Sequence, residues 1–424
     1  MFDRHGARSA RHEEDTITPK SYKRRDFLKK STLGALGGAV LLNQGGCAAE
    51  QTPTSCDSGR SIKIERIETT KVVVRMKPGT VNSENFGPNT DERLLTFDSL
   101  PKFIIRAHTD SGIVGLGETG HYQSSEPWFA EAFSENIRFL TGRNLLELNP
   151  GAPGLGLPYP EAATGFEMVY YDLLGKTLGV PVHVLLGGRF QDKVAVTYWT
   201  GQRTIAELPM IAQRAIDNNF KHLKFKSRKG DPIVKQVEAI RKVAPDLGLT
   251  VDFNRSYADS ADFLPVAMEL NNFKIMIEDP VVHTVDSYRE LREKMSNTLV
   301  ITPAQGDAEG ALRMLDVIQH GLCDAVNLGG TMQEFVRDAY VAEIAGMSAW
   351  HGSGIELGVK DMSFIHAAAA TRSCTIPSDI LSYMRGSDLL VNPLEIVDGY
   401  VEVPRTPGLG IELDEDKLQH YTVV

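Results

Sequence analysis

Cysteine is scarce in this chain. Four occur in 424 residues, Cys47, Cys56, Cys323 and Cys374, and no two form a Cys-x-x-Cys pair. That argues against both a disulfide framework and a zinc site built on thiolates. Positive charge is also in deficit: 45 Lys and Arg face 55 Asp and Glu, a formal charge of −10. A nucleic-acid partner would want a basic face, so none is expected. The weakly apolar run Ser31 to Leu42 is too short and too rich in glycine to span a membrane. No Gly-x-Gly-x-x-Gly follows any strand-like segment, so the fingerprint of a dinucleotide-binding sheet is missing.

What is present begins with an uneven charge. Residues 1–30 hold nine Lys/Arg against five acids, a balance of +4, which leaves −14 for the remainder. This basic stretch runs into the short apolar segment and then into small residues, the order of a signal peptide. Arg24-Arg25-Asp26-Phe27-Leu28-Lys29 resembles the twin-arginine export signal. The reading is a signal peptide over 1–48, cleaved near Gly46-Cys47-Ala48-Ala49, a Ser/Thr/Gly/Pro-rich linker over 49–60, and a periplasmic destination. A lipid anchor at Cys47 is the lesser alternative, because Gln44 stands where an aliphatic residue is usual.

The hydrophobic content of 42% is that of a soluble globular protein, and the length accommodates one large barrel and a smaller domain. Residues 61–185 read as an N-terminal α+β capping domain. It has a strand over 62–76, a hairpin over 102–117 turning at Asp110-Ser111-Gly112, and helices over 126–140 and 164–178. Residues 82–91, rich in Asn, Gly and Pro, read as a loop. Over 186–392 the texture changes to alternating strands and helices. Strands are predicted at 194–199, 222–226, 249–253, 275–278, 299–302, 325–328, 347–350 and, on a weak signal, 374–376. The fold class is α/β, a (β/α)8-type (TIM-like) barrel. Residues 393–424 are expected to pack back onto the capping domain.

Three acids close successive apolar runs at a near-constant pitch: Asp252, Glu278 and Asp307, spaced by 26 and 29 residues, with Lys226 another 26 upstream of Asp252. One βα unit takes about that many residues, and polar strand ends of such an array converge on one mouth. Three carboxylates meeting there suit a hard divalent cation such as Mg²⁺. In His222-Leu223-Lys224-Phe225-Lys226, the two lysines share one strand face. Two ammonium groups so placed are expected to lower the pKa of one, making a general base; Lys226, nearer the mouth, is the candidate. His351, closing Met347-Ser348-Ala349-Trp350, is placed to act as acid or base from the far side of the barrel. Asn254 reads equally as a donor to substrate or to a ligand carboxylate and as a turn residue. Asp379 and Glu356 are weaker candidates near the mouth.

These residues, in this order, resemble the mandelate racemase and muconate-lactonizing branch of the enolase superfamily over about residues 61–424. Asp172-Leu173-Leu174-Gly175-Lys176 and Leu185-Leu186-Gly187-Gly188 resemble the family's entry into the barrel, and Lys224-Phe225-Lys226 its Lys-x-Lys base motif. Asp252-Phe253-Asn254, Glu278-Asp279-Pro280 and Gly306-Asp307 resemble its metal-ligand motifs, and Pro407-Gly408-Leu409-Gly410 its closing segment. The resemblance implies Mg²⁺ on Asp252, Glu278 and Asp307, and a small carboxylate substrate held in part by Lys224. Lys226 would remove the proton alpha to the carboxylate, giving an enediolate. It also implies a homo-oligomer, and substrate selection by the 82–91 loop. The sixth strand, Asp324 to Gly330, departs from the pattern. It carries neither the aspartate that partners a seventh-strand histidine nor the lysine of muconate-lactonizing members. The expected activity is dehydration of a hydroxy or sugar acid, with His351 protonating the departing hydroxyl. The alternatives are a racemase, epimerase or cycloisomerase, and an exported binding protein without turnover.

Overall fold

Alternating side chains make Ile64–Val72 a strand (β1), which pairs antiparallel with Lys102–Thr109 (β2); β2 in turn pairs with Val114–Glu118 (β3). The β2–β3 turn runs through Gly112, whose φ of +79° is open to glycine without penalty. The computed structural model describes residues 61–83, 101–120, 124, 126–304 and 312–423. The expected signal peptide, the linker, Cys47, residues 84–91 of the expected loop and Asp307 lie outside them.

Two helices cover this small sheet. Phe129–Leu140 buries Phe129, Ala132, Phe133, Asn136 and Leu140, a three-and-four spacing that turns one stripe inward. Thr164–Leu178 is buried over most of its circumference. It approaches β3 so closely that a Cβ on Gly117 would stand 2.1 Å from Gly165 O, so that crossing depends on glycine.

The larger part is a curled parallel sheet of seven strands in chain order. They are Tyr198–Thr200 (β5), His222–Lys226 (β6), Gly248–Asp252 (β7), Met276–Glu278 (β8), Thr298–Ile301 (β9), Ala325–Leu328 (β10) and Ser348–His351 (β11). Helices separate consecutive strands, and several start on side-chain caps: Asp259 accepts from Asp262 N, and Thr284 from Ser287 N. Pro209 falls in the first turn of its helix, where it costs no hydrogen bond, whereas Pro265 lies inside Ser260–Leu270. The weakly predicted segment at 374–376 is not a continuous strand. The backbone around it nevertheless bonds β11 on one side and the residues just before β5 on the other. Ala349 N donates to Ser373 O at 2.7 Å and Asp379 N to His351 O at 2.8 Å; Ser378 N donates to Ala195 O at 2.8 Å and Thr197 N to Ser378 O at 3.0 Å.

Two-residue periodicity sorts each strand's side chains. On β6, Leu223 and Phe225 turn to the helices and are fully buried, each such burial worth roughly 1.5–3 kcal/mol. His222, Lys224 and Lys226 take the inner face, where His222 Nε2 lies 2.8 Å from Thr250 Oγ1. On β11, Trp350 turns inward onto Val300 and Ala325, which sends His351 outward.

After β11 the chain ends in a short strand, Tyr400–Glu402 (β12), paired antiparallel with Lys193–Ala195 (β4), and a helix, Glu415–Tyr421. Val73 N donates to Tyr421 O at 3.1 Å and Val423 N to Lys71 O at 2.9 Å, which joins this segment to β1.

Candidate active site

The strand ends of β6, β7 and β8 stand in register: Lys226 beside Asp252, and Asp252 beside Glu278. Their side chains meet at one end of a cavity of about 500 Å³, also lined by Trp199, Asn254, Arg255, Asn327, Ile355 and Asp379. A larger cavity of about 1050 Å³ opens along residues 392–412 of the C-terminal segment. It contains none of the strand-end residues, so the chemistry belongs to the smaller one.

Lys224 is buried among three carboxylates. Its Nζ donates to Glu278 Oε1 and Asp379 Oδ2 at 3.0 Å each and lies 3.4 Å from Asp252 Oδ2. Burial alone would pull its pKa down, but Asp379, Glu278 and Asp252 outweigh burial and hold it well above the usual lysine value. Repulsion between the paired lysines therefore does not neutralise Lys224; the carboxylates, invisible to a count along one strand, decide its charge. Among the described residues Lys226 meets a single carboxylate: its Nζ donates to Asp252 Oδ2 at 2.5 Å and lies 5.9 Å from the Trp199 ring centre.

The carboxylates differ among themselves. Burial pushes Asp252 up, but Lys226 and Lys224 overcome that and hold it well below the usual range. Glu278 is raised to about 8, by burial first and then by the Asp252 charge, against the pull of the lysines. Burial also raises Asp379. Asp252 Oδ1 accepts from Asn254 N at 2.9 Å, and Glu278 Oε1 accepts from Asn327 Nδ2 at 2.7 Å. Glu278 Oε2 lies 2.7 Å from Lys224 Nζ, yet neither it nor Asp379 Oδ1 completes a hydrogen bond. Buried carboxyl oxygens left without a hydrogen-bond partner are a fitting donor set for a hard cation. Among the described residues no three acid, histidine or cysteine side chains gather into a metal cluster; the expected third ligand, Asp307, lies outside them.

His351 is not among the residues lining the cavity. It is fully buried between sheet and helices, its ring stacked on Phe364 with centres 3.5 Å apart and edge-on to Phe335. Burial holds its pKa down to about 3, with Glu356 pulling the other way. The expected acid–base role fails on strand parity: Trp350 occupies the inward position, 5.6 Å from Lys224 Nζ. Asn254 does reach the cavity wall, with its Oδ1 accepting from Arg228 Nη2 at 3.0 Å.

Sequence reasoning missed Asn327, Arg255 and Trp199. The signal for Asn327 was an amide inside the apolar run Ala325-Val326-Asn327-Leu328, two residues on from an inward alanine. Glu356, a weak candidate, belongs to a buried charged cluster behind the cavity. Lys360 Nζ donates to Glu356 Oε1 at 3.0 Å, Lys102 Nζ donates to Glu118 Oε1 at 2.8 Å, and Arg385 pairs with Asp361 at 2.6 Å. Glu118 also accepts from Leu357 N and Lys360 N. This cluster fixes the loop after β11, where Ile355 at φ +59° faces the cavity.

The family model described as Enolase C-terminal domain-like matches residues 207–417. The chain is 27% identical to the N-succinyl-L-Arg/Lys racemase of Bacillus cereus, over 77% of this chain and 92% of the relative. It is 24% identical to the o-succinylbenzoate synthase of Bacillus subtilis, over 85% of this chain and 97% of the relative. Among solved structures it is similar to the muconate lactonizing enzyme from Pseudomonas fluorescens complexed with muconolactone. The TM-score is 0.72 at 22% identity, over 86% of this chain and all of the other, a likeness of fold.

Proposed function

We propose that this chain, whose residues 207–417 match the Enolase C-terminal domain-like family model, is an enolase-superfamily enzyme that removes the proton alpha to a substrate carboxylate, with Lys226 as the base. The observation that carries this is the division of labour between two neighbouring lysines. Lys224, held charged by three carboxylates, supplies fixed positive charge for the substrate carboxylate. Lys226, paired among the described residues with Asp252 alone and lining the cavity, is the amine we assign as the base. Asp252, Glu278 and Asp307 are the residues that would hold Mg²⁺, which when bound would stabilise the charge developing on the substrate carboxylate. In this reading the strands and the bonded segment at 373–379 form a (β/α)8 barrel, with the three-stranded sheet as its cap.

The outcome we favour is loss of water from a hydroxy acid on one face. The Cα–H bond breaks and Lys226 takes the proton. The C–O bond beta to the carboxylate then breaks as the double bond forms, and Lys226 returns the proton to the departing hydroxide, which leaves as water. His351 has no part, since it faces the helices. Racemisation requires a second base on the opposite face. Among the described residues β10 offers Asn327 there rather than a lysine or an acid.

The test is exchange in D₂O with Mg²⁺ over a panel of carboxylic acids. Deuterium at the alpha carbon together with a product lighter by one water is the expected result. Lys226→Met should lower exchange by about 100- to 10,000-fold. Inversion without mass loss would replace dehydration by racemisation, and full exchange in Lys226→Met would remove Lys226 from its role.

A further inference from the structure

The residue after Glu278 stands in the left-handed region: Asp279 has a φ of +43°. A side chain with a Cβ resists that conformation, and it persists where neighbours enforce it, often beside functional sites. Glycine would take the turn without strain. Aspartate brings what glycine cannot, a carboxylate, and this one is buried. Its Oδ1 accepts from Thr302 N at 2.9 Å and from His283 Nε2 at 3.0 Å. His283 is itself buried and stands edge-on to the Tyr288 ring, with centres 5.5 Å apart.

The backbone of the same residue reaches both flanking strands. Arg255 N, three residues past Asp252, donates to Asp279 O at 2.6 Å, and Asp279 N donates to Val300 O of β9 at 3.1 Å. Thr302 is the first residue beyond β9, five before Asp307. Asp279 thus ties together the ends of β7, β8 and β9, the strands that carry or precede the three acids assigned to Mg²⁺.

Building on the Mg²⁺ site of the proposed function, we infer that Asp279, backed by His283, is a positioning residue for that site. It locks the three strand ends against one another, and so sets how tightly and how selectively their acids close on the ion, without touching the ion itself. Mg²⁺ demands near-ideal octahedral geometry, whereas Ca²⁺ accepts longer and less regular contacts. Loosening the strand ends should therefore weaken Mg²⁺ more than Ca²⁺.

The experiment is titration calorimetry of the full chain with Mg²⁺ and, separately, with Ca²⁺, in the wild type, Asp279→Gly, His283→Leu and His283→Gln. Asp279→Gly keeps the turn and removes the carboxylate, and glutamine at 283 returns a donor near the place of Nε2. Asp279→Gly should raise the Mg²⁺ Kd by about 10- to 100-fold, the usual effect of losing a group that orients a ligand, and raise the Ca²⁺ Kd by less. His283→Leu should move both constants in the same sense by smaller factors, and His283→Gln should recover part of the loss. Both ions are measured on the same protein, so the ratio of the two constants does not depend on the fraction folded. Equal factors for the two ions, or no change in Asp279→Gly, overturn the inference and leave the Mg²⁺ site standing. Mg²⁺ binding weakened in Asp279→Gly but untouched in His283→Leu would make Asp279 a ligand in its own right and overturn the inference too. Absence of Mg²⁺ binding in the wild type overturns the metal site and the inference together.

Discussion

Lys224 and Lys226 differ by one turn of the pleat, yet among the described residues three carboxylates lie within 3.4 Å of the first and one within 2.5 Å of the second. The same counting applies to a metal. Asp252 and Glu278 pair with ammonium groups, and a dication bound there would compete with those ammoniums for the same oxygens. Added Mg²⁺ is therefore expected to raise Tm, by the equivalent of about 2.7 kcal/mol at a hundredfold excess over Kd, and Asp252→Asn to abolish the rise. Calorimetric scans with and without Mg²⁺ check this, and an undiminished rise in the variant would exclude Asp252 as a ligand. His351 carries the opposite expectation. Burial lowers its folded pKa to about 3 against an unfolded value near 6.5, so below pH 6.5 the unfolded chain binds the proton more tightly. Stability from this group is thus present above pH 6.5 and lost as pH falls toward 3, by up to about 3 kcal/mol at pH 4. His351→Leu should flatten that acid limb in urea titrations at pH 7 and pH 4, and keep alpha exchange within a few fold. Loss of exchange in a folded His351→Leu would return the histidine to the mechanism.

At the scale of elements, the strands from β5 to β11 were legible because each is a short apolar run ending in a polar residue, with a helical stretch before the next. Their ends lie within a residue or two of expectation, except that the first begins at Tyr198 after β4 has already paired with β12. The eighth was faint for a physical reason: Pro377 has no N–H to give to a ladder, and the segment survives as scattered bridges. Position along a strand was readable, but facing was not always. On β6, charged and apolar residues alternate and reveal the inner face. On β11, Ser348-Ala349-Trp350-His351 is half-buried or buried on both faces, so periodicity is silent and His351 was assigned to the wrong one. The Lys-x-Lys and acidic strand ends came through, while Asn327 and Arg255 did not, because an amide or an arginine beside a turn has no spacing that marks it.

Across the whole molecule, the three-stranded sheet and the loop after β11 share buried charge. Lys102 and Glu118, from β2 and β3, support the loop that places Ile355 at the cavity through Leu357 N and Lys360 N. Removing one member of such a pair leaves the other uncompensated, so Lys102→Met should cost about 3–5 kcal/mol in urea unfolding; a cost under about 1 kcal/mol would show that the pair is not needed. The charge of the chain as a whole bears on its destination. We propose export on the strength of Arg24 and Arg25. Fractionation of cells producing the protein with both changed to lysine should find it retained in the cytoplasm, and unaltered periplasmic recovery would refute the signal.

The helix Met332–Ile344 follows β10 after a three-residue loop, and its first amides are already engaged. Met332 N and Gln333 N donate to the buried Glu167 carboxylate at 2.6 and 3.2 Å, and Glu334 N to Thr331 Oγ1. In many α/β enzymes a helix start of this kind is where a phosphate docks. Here the protein's own glutamate sits in that berth, so this helix start has no amides to spare for an outside anion.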